Sequence, residues 1–152
     1  MPIPTFTAYG MLPEGVYDCT AEEARDMFGS GNPHAIRAKL WDGLEQFMQW
    51  VSPWHIFSAI YIDGSFVTAK AVPSDIDIVI ELPDPTHPDL NLIPPEFLDQ
   101  IHIRRTYGLD MYLFYPSVVH DLRAFFQYIK ARDIISLGLN ANDRKGILRI
   151  TL

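Results

Sequence analysis

Asp75 and Asp77 flank Ile76 at the head of an apolar run that continues to Ile80. In an extended chain, residues i and i+2 lie on one face, with Cα atoms about 6.6 Å apart. The two carboxylates therefore project together, and they repel unless a cation sits between them. Oxygen-only ligands of this kind suit Mg2+ or Mn2+, which take the rest of their shell from water and phosphate. Upstream, Gly64-Ser65 follows the apolar stretch Ile60-Tyr61-Ile62, with nine residues between Ser65 and Asp75. A Gly-Ser turn after a strand offers free backbone N–H groups and a hydroxyl, both suited to phosphate oxygens. A carboxylate pair beside a phosphate cradle is the minimum kit for metal-assisted phosphoryl or nucleotidyl transfer. Asp110, at the head of Asp110–Tyr115, completes it if that segment pairs beside the first. It is then placed to ligate the metal near an attacking hydroxyl and to help remove its proton.

The elements that must position these groups follow from patterning. Thr20-Ala21-Glu22-Glu23 fits a capping box and predicts a short helix to about Phe28, stopped by Gly29 and Gly31. Asn32-Pro33 offers an N-cap and a first-turn proline. Ile36, Leu40, Leu44, Phe47 and Val51 then line one helical face, and Pro53 ends that helix. Strands are expected over Ile56–Ile62, Asp75–Glu81, Leu109–Tyr115 and Gly146–Leu152, from β-branched and aromatic content or alternation. Pro94–Ile101 and Ser117–Ala131 carry helical spacing, and residues 1–17 read as irregular. The expected fold class is α+β (or α/β): one domain over residues 1–152, a small mixed or antiparallel sheet flanked by helices.

Composition bounds the alternatives. With 152 residues, 48% hydrophobic and 20% charged, the chain can bury one core and is not a disordered sequence. A single cysteine, Cys19, excludes a disulfide framework within the chain and a Cys-rich zinc module. No apolar run reaches the roughly 20 residues of a membrane span, and Met1-Pro2-Ile3-Pro4 lacks a basic leader, so a cytoplasmic protein with no membrane partner is expected. The net charge of −7 speaks against sequence-independent nucleic-acid binding, and no sequence-specific DNA binding is expected. The charge is uneven. Residues 1–116 carry six Lys and Arg against sixteen Asp and Glu, whereas residues 117–152 carry six against three, a balance of −10 against +3.

The stretch from Gly64 to Asp77, Gly-Ser-Phe-x-Thr-x-Lys-x-x-Pro-x-Asp-Ile-Asp, with Asp110 further on, resembles the signature of the nucleotidyltransferase superfamily, the DNA polymerase β-like fold. The whole chain is similar to a group of small bacterial and phage proteins of that kind. Leu12-Pro13-Glu14-Gly15 and Lys145-Gly146-Ile147 carry that closer likeness. The resemblance implies that Asp75, Asp77 and Asp110 bind Mg2+ (or Mn2+). It also implies that Gly64 and Ser65 hold the triphosphate of an NTP, ATP first among them. Phe66-Val67 stand where many active members carry a polar group, which leaves Thr68 and Lys70 as the nearby substitutes. The short chain leaves little room for an acceptor domain. That favours an acceptor supplied by a partner protein or RNA, as in toxin–antitoxin or phage-defence pairs. The alternative is a catalytically silent binding module of the same fold, an antitoxin-like or phage-encoded regulator. Other polar residues read as structural. Asp63 is expected in a turn, Arg104-Arg105 as an exposed pair, the five histidines as unrelated to metal, and Tyr112, Phe114, Phe125 and Phe126 as core aromatics. A glycosyltransferase lacks room for its nucleotide-sugar fold ahead of Asp75-Ile76-Asp77. An EF-hand lacks its twelve-residue loop.

Overall fold

The computed structural model describes residues 3–115, 124 and 126–152. Five strands form one mixed sheet: β1 (Gly15–Cys19), β2 (Ala59–Asp63), β3 (Ile76–Glu81), β4 (Leu109–Phe114) and β5 (Gly146–Thr151). Their order is β1-β5-β2-β3-β4. The inner pairs β5–β2 and β2–β3 are antiparallel, and the outer pairs β1–β5 and β3–β4 are parallel. The fold is thus the mixed α/β class expected, with helices flanking the sheet. Among the described residues, no helix is long and apolar enough to cross a membrane.

The helices begin and end where local chemistry allows. In α1 (Ala21–Phe28) the Thr20 hydroxyl accepts from the Glu23 N–H at 3.1 Å, and the Glu23 carboxylate accepts from the Thr20 N–H at 2.8 Å. The long helix α2 (Ala35–Val51) starts behind His34, not at Pro33. The Asn32 side chain instead closes a tight turn by accepting from the His34 N–H at 3.1 Å. Pro53 does not break the chain sharply; it sits inside a 3-10 turn, Ser52–Trp54, that tightens the helix end. The helix expected over Pro94–Ile101 is two, α3 (Pro95–Leu98) and α4 (Gln100–Tyr107). Asp99 divides them, because its carboxylate accepts from the N–H groups of Ile101 and His102 and so caps a new helix.

Two further expectations change. Residues 1–17 are not wholly irregular, since β1 runs along β5 with Gly15 opposite Gly146. It is a five-residue edge strand, too short to show a pattern without its neighbour. The helix expected over Ser117–Ala131 lies mostly outside the described residues. At its far end Tyr128 bridges to Arg144 and Ala131 opens a separate helix, α5 (Ala131–Leu137).

Alternation along the strands divides the sheet into two faces. One carries Ile60, Ile62, Ile76, Ile78, Ile80, Leu109, Met111, Leu148 and Ile150. These pack with Leu40, Leu44, Phe47 and Val51 of α2 and Ile103 of α4 into the main core. Helices α2 and α4 meet at Gly43, where a Cβ would lie 2.1 Å from the Tyr107 carbonyl oxygen. The opposite face carries a smaller cluster, Tyr61, Val79, Phe114, Phe126 and Ile147. Asp63, Asp77 and Asp110 share this second face by the same alternation.

A buried cation ties helix to loop. Arg37 is 1% exposed, and its guanidinium donates to the carbonyls of Phe28, Ser65, Phe66, Thr68 and Lys70. Its Cζ also lies 5.2 Å from the centroid of the Phe66 ring. Arg37→Met is expected to lower stability by about 3 kcal/mol or more, because several buried carbonyls lose their donor together. Arg37→Lys should recover only part of that loss, since an ammonium cannot reproduce the planar fork. Denaturant unfolding of the three proteins measures both differences.

Candidate active site

Strand register sets three aspartates side by side. Asp63 of β2 pairs with Asp77 of β3, and Asp77 pairs with Asp110 of β4. Directly opposed residues bring their Cβ atoms to about 4.5–5.5 Å. Asp75, two residues ahead of Asp77, joins them from the loop that enters β3. One carboxylate oxygen from each of Asp75, Asp77 and Asp110 lies within 4.8 Å of the others, and all three residues are half-buried.

The electrostatics of the cluster are strained. Asp77 is pushed up to about 6, first by burial and then by the charges of Asp75, Asp63 and Asp110, with Lys130 opposing. Asp75 is held by Arg104, whose Nη2 lies 3.2 Å from Oδ2, so that arginine is not merely an exposed residue. Asp110 accepts from the Tyr112 hydroxyl at 3.3 Å. Tyr112 is not a core aromatic; it stands 37% exposed on the aspartate face. Phe114 and Phe126 are buried as expected, and Phe125 lies outside the described residues.

Asp63 departs most from its expected role. It ends β2 instead of forming a turn, is 3% exposed, and pairs with Lys145, whose Nζ is 3.0 Å away. Burial raises its pKa, while Lys145 and the Gly64 N–H pull it back. Sequence reasoning missed this pair because Asp63 and Lys145 lie far apart in the chain and only the β2–β5 pairing joins them.

The Gly64-Ser65 bend sits directly beside Asp77. Gly64 has φ +79, and a Cβ there would lie 2.2 Å from Asp77 Oδ2, so both conformation and space demand glycine. Ser65–Val67 form a single 3-10 turn with Phe66 and Val67 buried. The Thr68 hydroxyl donates to the Ser65 carbonyl at 2.7 Å, which fixes the turn from within. Lys70 is exposed. The N-terminal segment clasps the loop from outside: Met11 bridges Thr68, and the Ala69 N–H donates to the Gly10 carbonyl at 2.8 Å.

Arg37 holds the same loop from beneath and was also missed in the sequence. Its signal was there, since Arg37 falls three and seven residues before Leu40 and Leu44 and so interrupts an apolar stripe with a charge. The two motifs Leu12–Gly15 and Lys145–Ile147 also meet, through a Gly146 N–H that donates to the Leu12 carbonyl at 2.9 Å. One cavity of about 830 Å³ is lined by Gly64, Ser65, Thr68, Lys70, Asp75, Asp77 and Asp110 together. All seven residues selected from the sequence therefore face a common space. Cys19, with its thiol pushed up to about 12, chiefly by burial, stands outside that chemistry.

A family profile matches residues 4–151, nearly the full length. The chain belongs to the family of unknown function DUF6932. No curated protein and no solved structure matches it. Among the described residues, the donor set of this DUF6932 member suits a hard divalent cation: three carboxylates, no nitrogen or sulfur ligand, and a mutual repulsion that a cation relieves.

An acid whose pKa is higher in the folded than in the unfolded state favours folding at low pH, and that contribution is lost as pH rises from about 4 through 6. Asp77→Asn is therefore expected to stabilise the metal-free protein above pH 6 by about 1–2 kcal/mol. That is less than the full shift implies, because the carboxylate is partly screened by solvent. The gain should fade toward pH 4, as read by thermal unfolding across pH without divalent ions. A second expectation concerns the bend. Gly64→Ala should displace Asp77 and weaken the Mn2+ binding proposed below at least about tenfold, measured by calorimetry on protein shown to be folded.

Proposed function

We propose that this DUF6932 member is a nucleotidyltransferase that moves a nucleoside monophosphate from an NTP, ATP first among candidates, to a hydroxyl. The observation that carries this reading is the convergence of Asp75, Asp77 and Asp110 within 4.8 Å beside the Gly64-Ser65 bend. Asp75, Asp77 and Asp110 would hold Mg2+ or Mn2+, which supplies polarisation of the α-phosphate and neutralisation of the departing pyrophosphate. The backbone N–H groups and hydroxyl of the Gly64-Ser65 bend receive phosphate oxygens. Thr68 and Lys70 line the same cavity, and Lys70 is exposed. Asp110 accepts the proton of the acceptor hydroxyl. In the transfer, the acceptor oxygen bonds to the α-phosphorus, the bond between the α- and β-phosphates breaks, and pyrophosphate carries away the bonding pair.

The acceptor is a protein, RNA or small molecule brought by a partner, in the cytoplasm where NTPs are available. A toxin–antitoxin or phage-defence setting fits that arrangement. A second reading has its own observation. The turn after Gly64 is short and its Phe66 and Val67 side chains are buried, so it adds only Ser65 as a side-chain donor there. That favours a silent module that binds a nucleotide or partner without turnover.

Incubation with each labelled NTP, Mg2+ and a cell lysate separates the two. Label transferred to a macromolecule, and lost in Asp75→Ala/Asp77→Ala, is the expected result. NTP binding that ignores divalent ions, with no transfer, would leave the silent module.

A further inference from the structure

The basic C-terminal region has a place in the fold that the proposed chemistry does not use. Of its cations, Lys130, Arg132 and Lys145 all line the cavity that holds the aspartates. The antiparallel register that opposes Ile62 to Leu148 carries Lys145 to the level of the Gly64-Ser65 bend, on the β5 side of β2. Lys145 is held there by the buried Asp63. Lys130 lies close enough to Asp63 and Asp77 to pull both carboxyls down, and among the described residues it makes no ion pair. Arg132 is 77% exposed and has only a loose contact, 3.9 Å, with Asp133. At the other end of the row, toward β4, the cavity is acidic, with Asp75, Asp77 and Asp110. Within one cavity, the cations Lys130, Arg132 and Lys145 therefore accompany the acidic row of β3 and β4.

We infer that Lys130, Arg132 and Lys145 form a subsite for the terminal phosphates of a polyphosphate ligand, with its other end directed toward the aspartates. Lys145 is anchored on Asp63 of β2, and Asp110 stands on β4, two strands further along the sheet, about 10 Å. A single phosphate cannot span that interval; a chain of three can. Charge-assisted hydrogen bonds from Lys and Arg to phosphate are among the stronger polar contacts available. A neutral sugar or a lone carboxylate would leave most of this wall unused. Asp63 acts as a positioning residue: it keeps the Lys145 ammonium on the cavity floor instead of letting it point to solvent. The choice of a nucleoside triphosphate rests on the nucleotidyl-transfer reading, whereas the polyphosphate subsite itself is tested without any nucleoside.

The experiment measures binding of inorganic tripolyphosphate, ATP and AMP by calorimetry in Mg2+ buffer. It uses the wild type and two variants. Lys130→Ala/Arg132→Ala removes exposed side chains, and Asp63→Asn/Lys145→Met removes the buried pair as a unit so that no carboxylate is orphaned. Both variants are expected to bind tripolyphosphate and ATP at least about tenfold more weakly, with AMP changed less than about twofold. The inference is overturned if the wild type does not bind tripolyphosphate, or if Lys130→Ala/Arg132→Ala binds it as tightly as the wild type. Absence of label transfer alongside a variant-sensitive tripolyphosphate site sinks the transferase reading and keeps the subsite. Label transfer with an unchanged KM for ATP in Lys130→Ala/Arg132→Ala does the reverse.

Discussion

A single buried guanidinium organises the loop on which the site is built. Arg37 rises from α2 into the segment Ser65–Lys70 and donates to the carbonyls of Ser65, Phe66, Thr68 and Lys70. Among the described residues no carboxylate pairs with it; backbone dipoles and the face of Phe66 stabilise the charge instead. Arginine can serve there because it stays charged even where burial lowers its pKa, and because its fork reaches several acceptors at once. With Met11 and Gly10 holding the outer side of the same loop, Gly64 and Ser65 have little freedom. The aspartates beside them gain a fixed neighbour.

The acid row shows the opposite economy. Four carboxylates at one end of a sheet repel one another, and burial makes the repulsion stronger. The fold contains it with cations at both flanks: Arg104 on Asp75 and Lys145 on Asp63. Among the described residues Asp77, in the middle, makes no ion pair of its own, and it carries the largest consequence, a pKa near 6. Local strain of this kind, surrounded by well-packed apolar strands, is the pattern expected where structure is arranged for binding and not for stability.

Much of the fold was legible in the residues. The capping box at Thr20, the apolar stripe of α2 and the alternation of β3 each depend on neighbours within a few positions, so pattern alone identifies them. The site was legible to the same extent. Gly64, Ser65, Asp75 and Asp77 lie within fourteen residues, and their types state their chemistry. Asp110 was a conditional candidate, dependent on β4 lying next to β3, and the parallel register meets that condition. What escaped was non-local. β1 is a strand only because β5 lies beside it, and Lys145 reaches Asp63 only through the β2–β5 pairing.

The amino-acid order determined which segments are helical or extended, which face of each is apolar, and where acid, glycine and hydroxyl groups cluster along the chain. Those outcomes rest on side-chain periodicity and on hydrogen bonds that close within one turn. Tertiary pairing decided the rest: that Asp63, Asp77 and Asp110 stand in one rung, that Lys145 meets Asp63, and that Arg37 lies under the Gly64-Ser65 loop. These contacts join residues from distant parts of the chain. Their partners are selected by strand order and register, which the burial of the whole apolar face sets at once.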